Sequence, residues 1–277
     1  MSLVALFLLL AAAAIHAGWN ALVKSEADRL RSIAILAVFG TLAALPLTLF
    51  VTPPAIASWP FMLASGMLQV GYCFFLVRAY DHGDLVSVYP IARGSAPVFV
   101  TLGAAFFVRE WPDDLGLAGI ALVASGIFAL ALGANRPEPK AIQAALVTGL
   151  FVASYTIVDG LGVRASGSAL GYVVWQASLA GALIVIAFVV ARRTVPKLPP
   201  GKAGISLAIA GILSALAYGI SVWAMSIAAM GEVSAVRETS ILFAALFGAV
   251  FLKERFTWQM TIGVFAVAAG VACLSAT

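Results

Sequence analysis

Ten runs of predominantly apolar residues follow one another along the chain, at about 3–22, 33–52, 59–80, 85–108, 114–134, 141–160, 169–191, 203–229, 233–252 and 257–275. Roughly 20 residues of helix are needed to cross the hydrocarbon core of a bilayer, and each run has about that length. The breaks carry charge or turn residues: Lys24–Arg31, Thr52-Pro53-Pro54, Asp81–Asp84, Arg109–Asp114, Asn135–Lys140, Arg164–Ser168, Arg192–Lys202, Gly231-Glu232 and Lys253–Arg255. Because the runs are long and unbroken rather than short and alternating, they predict helices and not a barrel. The expected fold is an all-α integral membrane domain of ten transmembrane helices.

Composition agrees. Hydrophobic residues make up 63% of the chain and charged ones 10%, against roughly 25% charged in soluble domains. So few charges cannot clothe a water-soluble surface, which removes soluble, disordered and fibrous readings. The net charge of +4 comes from scattered loop residues and forms no basic stripe, so nucleic acid is excluded as a partner. No Lys or Arg precedes the apolar run at Leu3–Ala14, so it is read as a first span and not a signal peptide. Cys73 and Cys273 lie in separate apolar runs without a CxxC or Cys/His cluster, which argues against a disulfide framework or a zinc site. No cofactor is expected.

Lysine and arginine are unevenly shared between the loops. Odd-numbered loops hold eleven of them and even-numbered loops hold two, Arg109 and Arg164. By the positive-inside rule alone, the odd loops face the cytoplasm and both termini lie outside.

The chain also repeats itself. Phe107-Val108-Arg109-Glu110 matches Phe251-Leu252-Lys253-Glu254 at an offset of 144, which also carries Arg93 onto Arg237. Gly71, Gly83 and Asp84 fall on Gly219, Gly231 and Glu232 at an offset of 148, and more weakly His16 and Asn20 fall on Tyr155 and Asp159 at 139. Residues 1–135 and 140–277 thus read as two five-helix repeats, joined by a linker around Pro137 and forming one membrane domain. An odd number of helices per repeat forces the second to enter from the opposite side. That is an inverted-topology repeat, a ground plan of secondary transporters with the solute site near the midplane. Asp84 to Arg93 is four residues longer than Glu232 to Arg237, one helical turn that contains Tyr89-Pro90. Pro90 should kink the fourth helix, and Arg93 is expected about a turn deeper than Arg237.

An ionisable residue at the centre of a spanning helix costs roughly 2.5–3.5 kcal/mol on insertion scales, so each one calls for a reason. His16, Arg93, Asp159, Arg237 and Glu238 are such residues, and with His16 neutral their charges cancel. Arg93 shares a face with Pro90, Gly94 and Pro97 and is placed to clamp a carboxylate or phosphonate; the alternative is a structural pair with Glu238 or Asp159. Adjacent helical residues point about 100° apart, so Glu238 is expected toward the cavity and Arg237 toward a neighbouring helix. Asp159 and Tyr155 share one face, as do His16 and Asn20, with pairing of Asp159 to Arg164 as the plain alternative. If transport is proton-coupled, Glu238, Asp159 or His16 is the titrating group. Gln69 and Tyr72, then Tyr172, Trp175 and Gln176, then Tyr218 and Trp223 complete a set of candidate cavity residues. Trp59, Trp111 and Trp258 are assigned to interfacial belts. Helices 5 and 10 carry small residues every fourth position (Ala121, Ser125, Ala129, Gly133; Ala268, Ala272, Ala276) and are read as scaffold or as a homo-oligomer contact.

The ten spans, the duplication and the basic–acidic pairs closing helices 4 and 9 (Arg109-Glu110; Lys253-Glu254-Arg255) resemble the EamA family of the drug/metabolite transporter superfamily. The segments from Ser95 to Glu110 and from Thr239 to Glu254 are similar to that family's most recognisable stretch. His16-Ala17-Gly18-Trp19-Asn20 and Tyr155-Thr156-Ile157-Val158-Asp159-Gly160 look like forms found in its bacterial members. The resemblance implies export of a small metabolite such as an amino acid, without ATP hydrolysis, in a bacterial inner membrane. Helix 9 departs from the pattern in having Ile241 where helix 4 has Pro97. Family members are also drawn with cytoplasmic termini, opposite to the charge count.

The leading expectation is therefore a secondary active exporter of a small zwitterion or anion, with lipid, solute and protons as partners. A lipid flippase or assembly subunit is the rival. A polytopic enzyme is disfavoured because no HExxH, GxSxG, Ser/His/Asp or P-loop motif occurs.

Overall fold

The computed structural model describes the backbone of residues 1–23, 28–81, 85–132, 138–244 and 258–276, with their side chains except those of 20–23, 79–81, 85–89, 130–132 and 259–260. Among these residues all regular structure is helical. The α-helices are α1 (Leu3–Val23), α2 (Arg29–Ala44), α3 (Trp59–Asp81), α4 (Leu85–Val108), α5 (Asp114–Leu132), α6 (Pro139–Ala165), α7 (Ala169–Arg192), α8 (Lys202–Ala224), α9 (Met230–Arg237) and α10 (Trp258–Ser275). Among the described residues six helices are long and apolar enough to span a membrane: Arg29–Leu49, Ile56–Arg78, Pro90–Val108, Pro139–Ala165, Ala169–Arg192 and Lys202–Ala224. Leu3–Trp19, Asp114–Ala129 and Thr261–Ser275 are shorter apolar helices.

Local chemistry sets the helix ends. Asp28 accepts from the Arg31 N–H at 3.1 Å and Ser168 from the Gly171 N–H at 3.1 Å, each answering a donor that the helix leaves orphaned. Pro139 opens α6, where no N–H is needed. Arg109 (φ 56°) and Arg193 (φ 52°) adopt the left-handed conformation that stops α4 and α7. α4 itself continues through Pro90 and Pro97. Large apolar side chains such as Phe7, Phe50, Phe106 and Phe107 stand exposed, as expected where lipid is the solvent. Trp59, Trp111 and Trp258 are exposed at or beside helix ends, as interfacial tryptophans are.

The helices pair in a regular pattern. α3 packs on α6 as α1 packs on α8; α3 meets α7 as α2 meets α8; α4 meets α6 as α1 meets α9. α2–α7, α4–α9 and α5–α10 complete the set.

The structure refines the expected helices in two places. The small-residue rows at Ala121/Ser125 and Ala268/Ala272 face outward. α5 and α10 instead pack on each other through glycines: a Cβ on Gly126 would lie 2.8 Å from the Gly263 carbonyl oxygen, and one on Gly270 2.7 Å from that of Gly119. Close backbone approach selects the glycines over the alanines two positions away. The ninth span is also not continuous. Helix α9 ends at Arg237, a turn occupies Glu238–Thr239, and helix resumes at 240–244. The Thr239 hydroxyl donates to the Val236 carbonyl at 2.7 Å, and the Ile241 N–H reaches Glu238 O, three residues back, at 3.1 Å. The match of Phe107–Glu110 to Phe251–Glu254, and the side chain of Asn20, lie outside the described residues.

Gly126→Ala and Gly270→Ala, each meeting a backbone carbonyl that cannot move cheaply, should each destabilise the protein by about 1–3 kcal/mol. Gly18→Ala, with nothing within 4 Å of the new methyl, should leave the melting temperature in detergent unchanged.

Candidate functional site

Charged side chains from both halves of the chain meet inside the bundle. Arg93 of α4 places its Nε 2.7 Å from Oε2 of Glu238, with side-chain exposures of 5% and 0%. Arg237 brings its Nε to 3.8 Å from the other carboxylate oxygen. Its guanidinium lies 5.8 Å over the Tyr218 ring, a cation–π contact that needs no hydrogen bond. One carboxylate is thus shared by two arginines. Glu238 follows α9 in a right-handed backbone conformation (φ −71°, ψ −10°), and its carboxylate meets both arginines.

Asp159 forms the second centre and is fully buried. It accepts from the Tyr172 hydroxyl at 2.9 Å and from the Tyr218 hydroxyl at 2.5 Å, and Ser65 also hydrogen-bonds to it. The Ser65 oxygen meanwhile accepts from Gln176 at 2.9 Å and from Gln69 at 3.1 Å, which leaves its own proton to donate. Asp159 does not pair with Arg164. Five residues along a helix turn the side chain about 140° away, and Arg164 is engaged elsewhere. Glycines make the cluster possible. A methyl on Gly162 would collide with the Tyr172 hydroxyl, and one on Gly160 would lie 2.7 Å from the Met230 thioether. No side chain but hydrogen fits where Tyr172 crosses α6 to reach Asp159.

Tyrosines join the two centres. Tyr155 and Tyr218 meet edge-on with centroids 5.8 Å apart, and Tyr72 meets Tyr155 at 5.9 Å. Tyr155 lies within electrostatic range of Arg93, Arg237, Glu238 and Asp159, and His16 within range of both arginines. The sequence-derived residues Arg93, Arg237, Glu238, Asp159, His16, Tyr155, Tyr72, Tyr218, Gln69 and Gln176 are therefore brought together or linked in one polar network. Trp175 stacks obliquely on Trp59 at 5.5 Å, and Trp223 is half-buried against the main apolar core. Tyr172 and Ser65 are more closely engaged with Asp159 than the sequence suggests. Tyr172 was legible only as a cavity-lining aromatic, and a single serine in an apolar run gives no signal at all. Among the described residues no cluster of His, Cys, Asp or Glu is arranged to hold a metal ion.

A family model described as the EamA-like transporter family matches residues 139–276. The chain belongs to that family. EamA-like proteins are transporters, not enzymes, and with its apolar helices this chain is a multi-pass membrane protein. The match covers the half that carries Asp159, Tyr172, Tyr218, Arg237 and Glu238. The whole chain is similar in fold to a crystal structure of a protein with 15% identical sequence, over 98% of this chain and 97% of that one, with a TM-score of 0.80. The likeness extends through both halves and concerns the fold alone. No curated protein matches the sequence.

Tyr172→Phe leaves a buried carboxylate oxygen short of a donor, which costs about 1–3 kcal/mol. A lowered melting temperature in detergent is expected, with a smaller loss for Asp159→Asn/Tyr172→Phe than the sum of the two single variants.

Proposed function

We propose that this EamA-like protein is a secondary active transporter that exports a small zwitterion or anion, such as an amino acid, across a bacterial inner membrane by alternating access. The observation that carries this reading is the Arg93–Glu238 pair, which binds residue 93 of one half to residue 238 of the other inside an apolar bundle. Burying ions is costly and natural membrane proteins keep them where solutes or ions pass. Ten spans in two inverted repeats are consistent with the pairing pattern. Exchanging α1–α5 for α6–α10 turns the α3–α6 contact into α8–α1, α3–α7 into α8–α2 and α4–α6 into α9–α1, and all of these occur. A site lying between repeats that rock against each other is the geometry alternating access requires.

Within the site Arg237 is the cation best placed for a solute anion. Its Nε stands 3.8 Å from the Glu238 carboxylate, whereas Arg93 holds that carboxylate at 2.7 Å. A loosely paired guanidinium over an aromatic ring suits a carboxylate. Tyr155, Tyr72 and His16 would border the bound solute. Asp159, held by the hydroxyls of Tyr172, Tyr218 and Ser65, is a fixed part of the site's frame. Protonation of Glu238 would release Arg93 and so offers a route to proton coupling.

A thermal-shift screen of the purified protein against amino acids, organic acids and cationic drugs tests this. A ligand at 100 times its Kd stabilises by about 2.7 kcal/mol. Stabilisation by amino or organic acids that is lost in Arg237→Ala, with the ligand-free melting transition still cooperative, is expected. A response to cations alone, or an undiminished response in Arg237→Ala, would contradict the assignment, and stabilisation by lipid alone would favour a flippase.

A further inference from the structure

A second cluster of charges lies away from the central site, at the common end of α4, α6 and α8. Arg164, at the last turn of α6, donates through Nε to the Met225 carbonyl at 2.8 Å and through Nη2 to the Ala228 carbonyl at 2.9 Å. Its Nη1 lies 2.5 Å from Oε2 of Glu110. The other oxygen of Glu110 accepts the N–H of Met230, the first residue of α9. All the functional groups of both side chains are spent in this way.

The backbone is shaped to deliver Glu110. The left-handed Arg109 ends α4, and the following N–H, that of Glu110 itself, turns back to Ala104 O at 3.2 Å. The Glu110 carboxylate then sits at the N-terminus of α9, where the helix dipole favours negative charge. The cluster therefore ties the first half of the chain, through Glu110, to two parts of the second, the end of α6 and the 225–229 connection.

Its position relative to the central site is informative. Asp159 is five residues from Arg164, about 7.5 Å of helix rise, and Glu238 is eight residues from Met230, about 12 Å. Between cluster and site lie Val163, Met225, Met230 and Tyr172, all buried in one apolar core. The side chains of Arg164 and Glu110 remain 30% and 19% exposed. A partly wetted ion pair over a dry plug is the construction of a barrier that can be undone. α4 and α9 are consequently fastened at two levels, by Arg93–Glu238 within the bundle and by Glu110–Met230 at its end.

We infer that the Glu110–Arg164 cluster is the gate that seals the central site on the face formed by the ends of α4, α6 and α8. The inference rests on the alternating-access reading. Rocking of one half against the other must separate Glu110 from both Arg164 and Met230, and the apolar plug then parts. The gate also accounts for one of the two basic residues in even-numbered loops, since Arg164 is neutralised by Glu110.

The test places a reporter cysteine in the plug, Met225→Cys, in a background carrying Cys73→Ala and Cys273→Ala, and follows its reaction with a membrane-impermeant maleimide in proteoliposomes. Glu110→Gln weakens the pair without changing shape, and Arg164→Lys removes the contacts to the two carbonyls. Each should accelerate labelling at least tenfold. Asp28→Asn, which alters the exposed pair with Arg192 at 3.7 Å, should leave it unchanged. A second reporter, Val123→Cys in the buried face of α5, must not accelerate. Unchanged labelling at Met225→Cys in both variants would overturn the gate, as would equal acceleration at Val123→Cys, which would mean general loosening. Opening of the reporter in a protein that no solute stabilises would leave the gate standing and remove the solute-transport reading.

Discussion

Four formal charges buried in a bundle whose surroundings are apolar set the terms for the whole structure. Arg93, Arg237, Glu238 and Asp159 could be tolerated there only if they neutralise one another and find donors or acceptors, because a lone ion in low dielectric is the costly case. Glu238 is shared between two arginines, and Asp159 is enclosed by the hydroxyls of Tyr172, Tyr218 and Ser65. Tyr218 serves both groups, donating to Asp159 while lying beneath Arg237. Removing any one member exposes the others to an unbalanced field.

This requirement explains features that look unrelated. Gly160 and Gly162 thin α6 where Met230 and Tyr172 must pass. The glycine-lined contact of α5 and α10 carries no charge among its packing residues and holds those helices together at the periphery. Charged residues thus dictate the geometry at the centre, and small residues dictate it where backbones touch.

Much of this was legible in the sequence because it is local. Apolar runs of spanning length located most helices, and the ionisable residues within those runs are ones whose side chains meet in the candidate site. The Arg93–Glu238 pair stood among the alternatives, and chain position alone could not choose it over a solute-facing Arg93. The break at Glu238–Thr239 left no trace, since neither glycine nor proline marks it and the Thr239 hydroxyl and the Glu238 ion pairs impose it in three dimensions. The partners of Asp159 were hidden for the same reason. Tyr218 is 59 residues distant in sequence and Arg164 is 54 residues from Glu110, so no periodicity connects them. Small residues every fourth position on α5 and α10 face outward, and the glycines beside those rows form the contact between the two helices. An alanine row and a glycine row look alike in sequence, and only the backbone approach distinguishes them.

The central claim, that the buried charges are held as a mutually neutralising set across the two halves, is tested most directly by a double-mutant cycle on Arg93 and Glu238 read out as unfolding free energy in detergent. Arg93→Met or Glu238→Met alone unbalances the set and should cost about 3–5 kcal/mol, the usual penalty for stranding one member of a buried pair. The double variant keeps one arginine and one carboxylate, Arg237 and Asp159, and remains neutral. Recovery of most of the lost stability in the double variant is the predicted result. Additive losses would show that the two side chains are stabilised independently and would contradict the account.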